Sequence, residues 1–374
     1  MKRQIWLQCI ISISILLLAS CGSGSTQERP EQTATLPATE VIDPTNTAEP
    51  TLTPTPIAEK ISAHSITQLT IASSFGFGET LRDLEFSPDG SLILSSGGNS
   101  DDFEIRLWEV STGDLQESFL ANNSIVWDTA FSPDGRYMAA AINDGSVNIW
   151  DMSTNQLLKT LFFSGQPSSI AFSNDSQTLA VGGTTAFPDA AILTFSVSNW
   201  EPILQLAEFW NIPAIDYSTN DQYIVGGGTS RNVRIWTANN GTENNILFHS
   251  GQVSSLSISP DASHIATGLC ESSNENLICI TGAVWIWDLQ TGQLIEQLSD
   301  FPDWVENVEY SPDGSIIYAG SRDGLLKIYQ SSDLNPLFTS SSPGGGGILA
   351  VSADGTKLAT AGWDGLIHIW SITP

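Results

Sequence analysis

The chain has 374 residues, with 13 basic against 41 acidic side chains and a formal charge of −28. Binding to phosphate backbones rests on Lys and Arg, so this balance excludes nucleic acid and anionic membrane surfaces as partners. Charged residues are only 14% of the chain, which leaves much of the surface to Ser, Thr, Asn and Gln.

The first elements in chain order are a leader and a linker. Lys2 and Arg3 precede an apolar run from Ile5 to Leu18, the arrangement of a secretory signal over residues 1–20. A transmembrane anchor is the other reading, but the run is short for a hydrocarbon core of about 30 Å. Leu18-Ala19-Ser20-Cys21 resembles a bacterial lipobox. That resemblance implies cleavage before Cys21, a thioether-linked diacylglycerol on its sulfur and N-acylation, a multi-chain anchor that holds where one chain would be marginal. Residues 21–63 are rich in Thr, Pro and Glu, as in Thr51-Leu52-Thr53-Pro54-Thr55-Pro56, and cannot bury enough surface to fold. Extended, such a tract reaches on the order of 100 Å. It serves either as a tether or as a passive spacer.

From residue 64 to 374 the chain is a repeat. Ser-Pro-Asp-Gly stands at 87–90, 132–135 and 311–314, with altered copies at 173–176, 218–221, 259–262 and 352–355. Seven copies start 45, 41, 45, 41, 52 and 41 residues apart, a period that marks a repeat architecture. Pro-Asp-Gly is turn chemistry. Alternating apolar residues flank it, such as Leu84 and Phe86 before the first copy and Leu92 and Leu94 after it; period two predicts half-buried strands. A third run follows each turn and ends in an aromatic: Trp108, Trp150, Phe195, Trp236, Trp287, Tyr329 and Trp370. Thr112-Gly113 and Thr291-Gly292 turn the chain into a fourth run. Four short strands per unit, seven units and no helical period predict an all-β fold, a seven-bladed β-propeller of four-stranded antiparallel blades.

Trp150-Asp151, Trp287-Asp288 and the entry His249-Ser250-Gly251-Gln252-Val253 make the chain resemble the WD-repeat (WD-40) β-propeller family over roughly residues 65–373. His249 is the one good His entry, so the family's His–Asp–Ser/Thr–Trp network is mostly absent, and the third repeat lacks both the Trp and the Asp-Gly turn. The seventh repeat stops one strand short at Pro374. In the family an N-terminal strand completes the last blade, which implies that Ser65–Ser73 closes the ring and removes its open edges.

The resemblance also implies a face on which loops gather around the central channel. It would carry Trp127, Trp210, Trp304 and Trp363, with Phe75 and Phe77 nearby, and Asp101, Asp102, Asp303, Arg231, Arg322 and the Cys270–Cys279 loop. Exposed aromatics are good binding anchors; packing between blades is the competing use. Cys270 and Cys279 bracket the residues that stretch the fifth repeat. Outside the cytoplasm such a pair is expected as a disulfide, with two free thiols as the alternative.

Catalytic chemistry is not evident. The histidines at 64, 249, 264 and 368 have no metal-ligand spacing. No Gly-x-Ser-x-Gly elbow, phosphate loop or calcium loop is present. The expectation is a non-enzymatic, monomeric, lipid-anchored scaffold of the bacterial cell envelope. It would need no metal or cofactor and would bind another envelope or extracellular protein, touching membrane only through its anchor. The alternative is an extracellular hydrolase with carboxylates at the channel mouth.

Overall fold

The computed structural model describes residues 58–76, 80–97, 103–185, 192–206, 211–275, 278–343 and 345–372. The expected signal, the lipid site at Cys21 and nearly all of the linker lie outside these residues, as do Phe77, Asp101, Asp102 and Trp210. The described residues form seven sheets of four antiparallel strands. Six blades are continuous in sequence, beginning with the innermost strands Leu81–Phe86, Val126–Phe131, Gly165–Phe172, Ala214–Tyr217, Val253–Ile258 and Val305–Tyr310. The seventh uses Ile348–Val351, Lys357–Ala361 and Leu366–Ile372, and its outermost strand is Leu69–Gly76 from the start of the domain.

That closing strand runs antiparallel to the last one, from Leu69 opposite Ile372 to Gly76 opposite Leu366. Closure therefore comes from the N-terminal side as expected, with shifted boundaries. Ile66–Gln68 form a 3-10 turn rather than strand, and pairing continues three residues beyond Ser73. Residues before the strand also contribute. Ile61 and Ile66 are buried with Leu69, Ile316, Tyr318 and Trp370, and the Ile61 N–H donates to Gly355 O at 2.8 Å. The chain thus enters on the face that carries the Ser-x-Asp-x turns. At the other end of the closing strand, Ser74 Oγ and His368 Nδ1 lie 2.7 Å apart, so side chains reinforce the backbone ladder.

The core is divided among the blades. Seven apolar clusters form, each between two neighbouring blades. The aromatics that end the third strands, Trp108, Trp150, Trp236, Trp287 and Trp370, are all buried, so this recurring residue belongs to inter-blade packing. Three of them show what became of the family's side-chain network. Trp287 Nε1 donates to His249 Nε2 at 3.1 Å, which also lies 3.0 Å from Thr267 Oγ1. His249 Nδ1 faces the Leu247 carbonyl; a carbonyl only accepts, so Nδ1 carries the proton. Burial lowers this imidazole to about 4 and keeps it neutral. In the first and last blades the indoles donate directly to Ser95 and Thr360.

Candidate functional site around the channel mouth

The innermost strands line a central cavity of about 610 Å³. Period two decides what faces it. Leu84 and Phe86 turn into the blade, so Asp83 and Glu85 turn into the channel. The same alternation places Asp128, Asp216 and Glu309 there. None of these five acids was singled out from the sequence, although each stands two or four residues before a turn serine. That regularity was the available signal.

Each acid joins its blade to the next. Asp83 accepts from the Thr129 N–H and hydroxyl at 2.9 and 2.6 Å. Glu85 accepts from Phe131 N at 2.6 Å, Asp128 from Ile170 N at 2.7 Å, Asp216 from Ile258 N at 3.0 Å and Glu309 from Val351 N at 3.1 Å. Ser255 and Ser257 do the same for Val308 and Tyr310. Burial is the largest influence on every one of these carboxyls and raises them all, Asp216 to about 7 and Glu309 to about 8, with mutual repulsion adding at Glu85, Asp128 and Glu309. The side chains are half-buried, so channel water softens the burial penalty without reversing it.

The mouth is built by a repeated irregularity. In five blades the ladder between first and second strands skips one residue, between Leu81 and Asp83, Val126 and Asp128, Pro167 and Ser169, Val253 and Ser255, and Val305 and Asn307. A bulge leaves the extra residue unpaired and re-aims its side chain. The five extra residues are Arg82, Trp127, Ser168, Ser254 and Glu306, and all five line the cavity. The two serines are consumed locally: Ser168 donates to Ile212 O at 2.9 Å, and Ser254 to Gly268 O at 3.0 Å. The other three form a polar and aromatic arc spanning blades six, seven, one and two.

In that arc the Arg82 guanidinium lies 4.7 Å from the centre of the Trp127 ring, and Trp127 Nε1 donates to Asn143 Oδ1 at 3.0 Å. Glu306 accepts from Arg322 Nε at 2.6 Å, while the Arg322 guanidinium sits 5.2 Å over Trp304. Burial raises Glu306, and Arg322 first, then more weakly Arg82, pull it back down. Trp363, 54% exposed, reaches Arg322 O through its Nε1 at 3.4 Å.

The structure therefore brings together Trp127, Trp304, Trp363 and Arg322 and adds Arg82 and Glu306. Asp303 lies beside them but caps its own loop, accepting from Trp304 N at 2.7 Å. Arg231 stands on the fourth blade, where its guanidinium donates to Ser250 O at 3.5 Å. Phe75 is taken up by packing, 5.6 Å from the Trp108 ring and against Gly113. Cys270 and Cys279 are bonded to each other, with Cα atoms 5.8 Å apart, near the end of the hairpin His264–Ser273/Cys279–Asp288. That hairpin is wedged into the same face: a Cβ on Gly282 would lie 1.9 Å from Asp303 O. Its tip leaves Ile278 and Ile280 exposed. Among the described residues, no group of His, Cys, Asp and Glu has the geometry to hold a metal ion.

Curated proteins similar to this chain include several from eukaryotes. Serine-threonine kinase receptor-associated protein of Dictyostelium discoideum is 26% identical over 301 residues, 79% of this chain and 96% of that protein. Pre-mRNA-processing factor 17 of Homo sapiens is 24% identical, covering 76% of this chain and 49% of its own length. Autophagy-related protein 16 of Arabidopsis thaliana is 20% identical, covering 75% and 45%. The chain thus spans about half the length of the last two. The family model described as WD domain, G-beta repeat matches residues 60–109, 113–151, 242–288, 292–330 and 335–371. The stretch it passes over contains the third repeat, where Phe195 replaces the Trp and Ser173-Asn174-Asp175-Ser176 replaces Ser-Pro-Asp-Gly. With seven four-stranded blades and family matches over more than half its length, the chain belongs to the WD-repeat, G-beta propeller family.

Proposed function

We propose that this protein is a lipid-anchored, extracytoplasmic interaction scaffold that binds a partner protein on the face of its channel mouth. The observation that carries the reading is the bulge repeated in five innermost strands, which aims Arg82, Trp127 and Glu306 at the mouth beside Arg322, Trp304 and Trp363. A rigid ring presenting aromatic and arginine side chains has the composition of protein interfaces. The relatives support association as the mode of action, since one of them is named for association with a receptor kinase. The leader and the Leu18-Ala19-Ser20-Cys21 sequence support anchoring, and a cysteine pair suits an oxidising compartment. Of the two expected roles, scaffold is favoured over hydrolase. The channel acids that a hydrolase would recruit are already bonded to backbone N–H groups of the next blade.

The test uses the full chain expressed in a bacterium that lipidates Cys21. Cys21→Ser should move the protein from the membrane to the soluble fraction. The triple variant Trp127→Ala, Trp304→Ala, Trp363→Ala should lose partners recovered by cross-linking, while Arg136→Ala on the opposite face keeps them. A triple variant that retains every partner would overturn the choice of face.

A further inference from the structure

Resting on that reading of the face, we propose that the channel mouth recognises a carboxylate of the partner polypeptide, held by Arg82 on the face of Trp127 with Arg322 beside it. The mouth has unused hydrogen-bonding capacity of one sign. Asp83, Glu85, Asp128, Asp216 and Glu309 each already accept at least one backbone N–H. The mouth, by contrast, has donors to spare. Arg82 is exposed and, among the described residues, has no acceptor for its guanidinium; Arg322 reaches Glu306 through Nε, which leaves its two terminal nitrogens for a ligand. Each guanidinium lies over an indole, so its face is occupied and its plane oriented. Its free edge offers paired N–H groups matched to the two oxygens of a carboxylate. In a chain with 13 cationic against 41 anionic side chains, two arginines at the channel mouth are not explained by average surface charge.

The charges around this site explain why an anion is admitted into an acidic protein. Blade one contributes Arg82, Asp83 and Glu85, blade two Asp128, blade four Asp216, and blade six Glu306, Glu309 and Tyr310; blades three, five and seven contribute no titratable group to the cavity. Asp303 and Arg322 complete the rim. Glu306 is engaged by Arg322. Burial raises all five deeper carboxyls, Asp216 to about 7 and Glu309 to about 8, so below those values Asp216 and Glu309 do not repel a carboxylate above them. They do so once they ionise, and affinity for a carboxylate should fall as pH rises through about 7 to 8. A cationic ligand would show the opposite dependence.

The experiment measures binding of fluorescein-labelled octapeptides of Ser and Phe to the full chain by polarisation. One probe has a free C-terminal carboxylate, one a single Glu with an amidated end, one a single Lys with an amidated end, and one is neutral and amidated. We expect one or both carboxylate probes to bind at least tenfold tighter than the neutral one, which also tells an α-carboxylate from an acidic side chain. Affinity should fall severalfold between pH 6.5 and 8.5. Arg82→Gln should remove the tenfold preference and Arg82→Lys should restore only part of it, whereas Arg136→Gln should leave it intact. Preference for the Lys probe with affinity rising at high pH, equal binding of all probes, no binding of any, or an unaffected Arg82→Gln variant would each overturn the proposal. If the triple tryptophan variant still loses its cross-linked partners in that case, the face stands and only its chemistry is wrong.

Discussion

All seven turns share one hydrogen-bond pattern and one strained corner. The serine hydroxyl donates to the Asp or Asn two residues on at 2.6–2.8 Å in every copy. The fourth residue is left-handed throughout: Gly90, Gly135, Gly314 and Gly355 near φ 70°, but also Ser176, Asp221 and Ala262 at 60°, 55° and 54°. Left-handed geometry costs a non-glycine residue roughly 1 kcal/mol, and the three exceptions differ in what offsets it. Ser176 accepts from Asp134 N on the neighbouring blade, and Asp221 accepts from the N–H groups of Asn174 and Asp175 at 2.7 and 2.9 Å. Ala262 offers only a buried methyl group. Ala262→Gly should therefore raise the stability measured by urea unfolding by up to about 1 kcal/mol. Asp221→Gly should lower it by about 1–2 kcal/mol, because three blade-to-blade donors lose their acceptor. If both substitutions shift stability the same way, backbone strain does not distinguish these turns.

At the scale of elements, the ring is closed by more than a strand. The closing strand Leu69–Gly76 buries little beyond Leu69, so its hold depends on the preceding plug of Ile61 and Ile66, each about 2% exposed or less. Ile61→Ala should cost about 2–4 kcal/mol, and removal of 61–76 should leave the last blade with an open edge and drive aggregation. A deletion variant that stays monomeric and melts cooperatively would show that three strands suffice. The turns, the strand count and the direction of closure were legible because each is local chemistry repeated in register. The start of the closing strand was not, since Ser65-Ile66-Thr67-Gln68 alternates like a strand and becomes a 3-10 turn only because Ser62 and Ser65 bond to one another and back to Lys60. The bulges were not legible either. A bulge is an offset between two strands, and nothing in Leu81-Arg82-Asp83 announces which residue will be skipped. Trp127 and Arg322 could be picked as loop residues, whereas Arg82 and Glu306 read as ordinary strand positions until the skipped pairing turned them to the mouth.

At the scale of the molecule, two sets of acids pull stability in opposite directions with pH. The turn aspartates, such as Asp89, Asp261, Asp313 and Asp354, are held below their usual range, with hydrogen bonds from neighbouring Ser and Thr hydroxyls and N–H groups outweighing any burial. A depressed group stabilises above its unfolded pKa, near 4, and that contribution is lost on acidification. The channel acids are the reverse case. Their folded values stand above the unfolded ones, so their contribution is complete below about pH 4 and is lost as pH rises through about 7 for Asp216 and about 8 for Glu309. In the ring the second loss compounds itself, because each newly ionised carboxylate raises the cost of the next. Stability should thus be greatest between about pH 4 and 5, decline by on the order of 2 kcal/mol or more as pH rises to about 8, and level off above it, a figure moderated by water in the channel. Glu309→Gln and Asp216→Asn keep an oxygen to accept from Val351 N and Ile258 N while removing the titration. The double variant should therefore match the parent near pH 4.5 and exceed it at pH 8 in calorimetric melting. An alkaline decline that persists unchanged in this variant would mean that the surface charge of the whole acidic chain, rather than the ring that joins its blades, sets the upper limit of stability.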